Sequence, residues 1–162
     1  MDTTISDFSK FAAALMPGVG LSTSSRAELA RPQLHITTPS QFPTLPPDLP
    51  AEKQRRDLHA GLGVIAFDGP QGPGFYKGGH DNQSANTMVC IEKGRRCVLI
   101  LFNDVRSEAA FAGLVKFIIG ETGVPYEWDK ATPREGRERG FPPERCWGCF
   151  PGRDEWKPSE RR

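Results

Sequence analysis

The run Arg96-Cys97-Val98-Leu99-Ile100-Leu101-Phe102 constrains this chain most. Its residues from Cys97 to Phe102 are all apolar, so no alternating polar face remains for solvent. The run is far shorter than the roughly 20 residues of a membrane-spanning helix. It reads as a strand that is either central or covered by helices. Ser107 follows as a predicted cap with Glu108 in the first turn. Phe111, Leu114, Val115, Ile118 and Ile119 then predict a helix with one apolar stripe, ended by Gly120 or Gly123.

The residues before that run supply partners for it. Leu62–Phe67 reads as a strand, Gly69–Gly74 as a turn, Phe75–Lys77 as a short strand and Asn86–Ile91 as another. Lys93-Gly94 predicts a tight hairpin turn into the apolar run. Upstream, residues 5–16 predict a helix capped by Ser6, with Ile5, Phe8, Phe11, Ala12 and Leu15 at helical spacing. A shorter helix is predicted over Ser25–Ala30, capped by Ser24 or Ser25. Between them and the strands, residues 32–60 carry Pro39, Pro43, Pro46, Pro47 and Pro50, which exclude a long helix or a central strand. A loop of that length is expected to lie over a functional face. The order predicts an α+β fold, an antiparallel sheet with flanking helices.

The composition shifts near Asp129. Residues 129–162 hold nine Lys/Arg, seven Asp/Glu and five Pro, and their large apolar residues are Phe141, Trp147, Phe150 and Trp156. This segment reads as a poorly ordered tail behind a domain over 1–128. Net charge is +1, which favours no nucleic-acid partner. No basic leader with an apolar core opens the chain, so the expectation for the product as encoded is cytoplasmic, with no membrane partner. Four cysteines are few for a disulfide scaffold. Cys90 and Cys97 read as buried free thiols in strands. Cys146-Trp147-Gly148-Cys149 has C-x-x-C spacing but no second ligand pair, so no metal is assigned; a Cys-based metal or redox module is the weaker alternative. No cofactor is called for. His35 and His59 read as ordinary loop residues.

Phe75-Tyr76-Lys77-Gly78-Gly79-His80 is the motif that can carry chemistry. Small residues behind a lysine let a substrate backbone approach, and the lysine offers a point charge to an anion. The imidazole of His80 offers a side chain that can act as a base.

The ordered series from Asp7 to Trp128 resembles the C-terminal half of the serine β-lactamase and penicillin-binding-protein superfamily. Its class C β-lactamase, family VIII esterase and D-aminopeptidase branch is the most similar. Ile5-Ser6-Asp7-Phe8-Ser9-Lys10-Phe11 resembles that branch's helix start. Gly20-Leu21-Ser22 precedes a short helix ending at Arg31-Pro32, and Gly61-Leu62-Gly63-Val64 resembles its Gly-rich strand opening. Lys77-Gly78-Gly79 matches the cleft strand, Val98–Asn103 the last strand and Ser107–Ile119 the final helix. The resemblance implies a substrate-binding role for Lys77, Gly78, Gly79 and His80. It implies catalytic support from Lys77 and an oxyanion-directed N–H from His80. The implied substrate is a β-lactam, an ester or a D-amino-acid amide, cleaved through an acyl-enzyme.

Two family motifs are missing. No lysine stands three residues after a serine, so the activated S-x-x-K nucleophile is absent. Neither Tyr76 nor Tyr126 begins Y-x-N, and Ser84-Ala85-Asn86 follows the lysine motif where the family's second motif precedes it. The alternative reading is therefore a non-catalytic half-domain that needs an N-terminal complement. An exposed sheet edge would also predict a homodimer. Full-length relatives in the resembled branch are often periplasmic or secreted.

Overall fold

The computed structural model describes residues 3–41 and 46–129. The chain divides into two units, Met1–Thr132 and Pro133–Arg162. The described residues all lie in the first, so the predicted tail and Cys146 and Cys149 fall outside them.

Six strands form one antiparallel meander in sequence order: β1 Leu34–His35, β2 Leu58–Ala60, β3 Ile65–Gly69, β4 Gly72–His80, β5 Ala85–Ile91 and β6 Arg96–Phe102. The helices α1 Ile5–Leu15, α2 Thr23–Leu29, α3 Phe111–Ile119 and α4 Tyr126–Asp129 flank it. This is the expected α+β fold. The period of two along each strand divides the apolar residues between two faces. On one face Ala12 and Met16 of the α1 region bury Val64, Phe75, Met88 and Cys90. On the other, Phe111 and Val115 of α3 bury Phe67, Tyr76, Val89, Ile91, Val98 and Ile100. The sheet is thus covered from both sides, which explains why β6 has no polar face even though it ends the strand order.

Several predicted boundaries move. Thr4, not Ser6, caps α1, its hydroxyl accepting the Asp7 N–H at 3.1 Å. Ser22, not Ser24 or Ser25, caps α2 by accepting from the Ser25 N–H. Ahead of α3, a 3-10 turn over Val105–Ala110 is capped by Asp104 rather than Ser107. The Arg106 guanidinium and N–H hold the Asp104 carboxyl down to about 2. Each earlier cap reaches an amide two or three residues ahead that the predicted one leaves bare. The α3 stripe is narrower than predicted: Phe111 and Val115 are buried, but Leu114 and Ile118 are exposed, because one i, i+4 line meets the sheet.

β3 starts three residues later than predicted, after a turn in which the Gly61 N–H donates to the Val64 carbonyl at 2.9 Å. β4 does not stop at Lys77 but continues through His80. The Pro-rich region contains β1 and β2, so His35 and His59 sit in strands and not in loops.

The expectation of free thiols at Cys90 and Cys97 is overturned. They form a disulfide between β5 and β6. The physical reason is register: Cys90 stands directly opposite Cys97, with Cα atoms 4.1 Å apart.

Candidate functional site

The segment Lys77–His80 extends β4 beyond its neighbour. β3 ends its pairing with β4 at Ile65, opposite Tyr76. On the other side β5 continues opposite every residue, from Lys77 with Met88 to His80 with Ala85. Four residues of β4 therefore have a strand on one flank and, among the described residues, none on the other.

Ladder alternation then fixes which backbone groups are open. The Glu92 N–H donates to the Pro73 carbonyl at 3.0 Å, and the Asp81 N–H donates to the Ser84 carbonyl at 3.0 Å. Residues in step with these, Phe75, Lys77 and Gly79, turn their backbone toward β5. Gly78 and His80 turn theirs the opposite way, to the flank that β3 has left. An extended substrate backbone or an anionic oxygen can meet those groups there.

The side chains divide differently. Lys77 shares the α1 face with Phe75 and is exposed. His80 leaves on the α3 face, where its Nδ1 lies 3.3 Å from Glu108 Oε1. The strand thus separates the two predicted catalytic side chains onto opposite faces, and only Lys77 and the His80 backbone can address one ligand together. Gly79 is not demanded by packing: a Cβ there would meet only the Asn86 side chain, at 3.4 Å. Its small size is free to serve access to the edge.

The loop after His80 is held firmly. The Asp81 carboxylate accepts the Gln83 N–H at 2.7 Å and the Ser84 N–H at 2.6 Å. Those two amides, Ser84 first, hold its carboxyl below the usual carboxylate range. The Gln83 carbonyl accepts from the Val105 N–H at 2.8 Å, tying the loop to the 3-10 turn. Ser84 closes this loop and Asn86 pairs with Gly79, so Ser84-Ala85-Asn86 lies on β5 and its entry.

A cleft of about 790 Å³ lies elsewhere, between α2 and strands β2 to β4. Arg26, Arg56, His59, Asp68 and Glu92 are among its lining residues; Lys77 and His80 are not. Arg26 grips both Glu92 carboxylate oxygens at 2.9 and 3.0 Å and donates from Nε to the Met16 carbonyl. Sequence reasoning did not find this cleft, because its walls come from residues some 66 positions apart. No group of three or more His, Cys, Asp or Glu able to hold a metal occurs among the described residues. Nor is any helix among them long and apolar enough to cross a membrane.

No family model, curated protein or solved structure matches this chain.

Proposed function

We propose that this chain forms the substrate-binding wall of a β-lactamase-like serine hydrolase, acting on a β-lactam, an ester or a D-amino-acid amide. The open flank of β4 at Gly78 and His80, beside exposed Lys77, is the observation that supports this reading. In it, the Lys77 ammonium attracts the substrate carboxylate. The His80 N–H donates to the oxygen that becomes negative as a serine attacks the carbonyl, and Gly78 and Gly79 let the substrate backbone close on the strand. The serine and its activating lysine come from a segment outside these 162 residues. Acylation breaks the amide or ester bond, the leaving amine or alcohol takes the proton, and water then releases the acyl group. The Cys90–Cys97 disulfide favours an oxidising compartment over the cytoplasm.

Benzylpenicillin and p-nitrophenyl butyrate, titrated into ¹⁵N-labelled protein, test the reading. Saturable shifts at the Gly78, Gly79 and His80 amides are expected with benzylpenicillin, weakened about tenfold in Lys77→Ala. Shifts confined to the cleft lined by Arg26, or none at millimolar ligand, contradict it.

A second reading is favoured by β6, a seven-residue strand at the end of the strand order. Its outer edge suits pairing with a complementing N-terminal strand or a second copy. Light scattering on the purified chain distinguishes a dimer from a monomer awaiting a complement.

A further inference from the structure

We propose that His35 and His59 form a two-imidazole site for one divalent d-block cation, with Cu²⁺ its strongest ligand. The sheet builds the pair. The two residues are register partners across β1 and β2, so their side chains leave one face side by side. Their ring centroids are 5.2 Å apart and the rings are tilted by 39°. A cation about 2.0–2.1 Å from one nitrogen of each ring places the centroids about 4.5–5 Å apart, as the angle between the two bonds goes from the right angle of a tetragonal Cu²⁺ site to a tetrahedral one. The rings already stand at the separation of a chelating pair.

A second observation concerns the tautomer. His35 Nε2 lies 2.8 Å from the Arg55 carbonyl oxygen. A carbonyl only accepts, so Nε2 carries the proton and Nδ1 keeps its lone pair. This is how metal-binding histidines are commonly oriented, with the distal N–H anchored on a carbonyl or carboxylate. Asp57 contributes negative charge nearby but no ligand, since Arg55 engages both of its oxygens. With two side chains as ligands, the remaining positions go to water or to a molecule in the 790 Å³ cleft that His59 lines. Two imidazoles and water suit Cu²⁺, which also heads the affinity order of the divalent series. The site uses neither Lys77 nor the β4 edge, so its failure leaves the proposed function untouched.

The test is Cu²⁺ alone, titrated into the full chain carrying Cys146→Ser and Cys149→Ser to remove competing thiolates. Electron paramagnetic resonance should show one equivalent with two coordinated nitrogens. His35→Gln and His59→Gln should each weaken binding about tenfold or more, while His80→Gln leaves it in place. A companion measurement needs no histidine variant: Zn²⁺ should shift the ring ¹⁵N resonances of His35 and His59 and not those of His80. No stoichiometric binding, binding indifferent to both substitutions, or ring shifts at His80 instead would overturn the proposal.

Discussion

At the residue scale, Asp81 and two glycines carry distinct jobs. Asp81 accepts two amides at the end of β4, and its carboxyl lies below the usual 3.8. A depressed carboxyl stabilises the fold above its unfolded value, and that contribution is lost as pH falls through the folded one. The Ser84 amide resonance should therefore titrate with an inflection below pH 3.8; an inflection at or above that value would contradict the two-amide acceptor. Gly74 and Gly79 should separate packing from access. A Cβ at Gly74 would lie 2.7 Å from the Cys90 carbonyl and 2.8 Å from Phe67 Cζ, whereas at Gly79 it meets only Asn86. Gly74→Ala should cost about 1–3 kcal/mol or more in urea denaturation. Gly79→Ala should change stability by less than about 1 kcal/mol while weakening benzylpenicillin binding. Equal losses from the two substitutions would remove the argument that Gly79 serves access. Lys77 and His80 were legible as a motif. That their side chains oppose each other follows from the parity of positions 77 and 80, once β4 is known to run straight through His80.

At the element scale, the hairpin joining β5 and β6 shows what a sequence can state and still leave unread. A turn centred on Lys93-Gly94 places residues equidistant from it opposite each other. Cys90 stands three before Lys93 and Cys97 three after Gly94, so the turn already implied the pair. Composition argued for free thiols because it carries no register. The cross-link closes a short loop, and reducing it should lower stability by about 2 kcal/mol while far-UV dichroism stays unchanged. Loss of the sheet on reduction would show that the bond holds the fold rather than adding to it. Phe111 anchors α3, stacked 5.2 Å from Phe102 and 6.2 Å from Tyr126. Phe111→Ala should cost about 3–5 kcal/mol in the same assay. A cost below 1 kcal/mol would mean α3 does not seal that face. β1 and β2 escaped prediction because two- and three-residue strands show no periodicity; the place of β2 comes from pairing with β3, and that of β1 from pairing with β2.

At the scale of the molecule, the apolar run of β6, the hairpin and both helical stripes make the covered sheet legible in the sequence. What stayed hidden depends on distant residues meeting: the cleft gripped by Arg26 and Glu92, the His35–His59 pair, and the point where β3 stops short of β4. That last feature turns a Lys-Gly-Gly motif into a site, since it leaves Gly78 and His80 facing away from β5 with no strand opposite them among the described residues. Amide hydrogen exchange along β4 measures it directly. Lys77 and Gly79, bonded to β5, should exchange slowly, and Gly78 and His80 should exchange at least about tenfold faster, with His80 slowed when benzylpenicillin is added. Uniform protection from Tyr76 through His80 would mean that the flank is already filled and that this edge is no substrate wall.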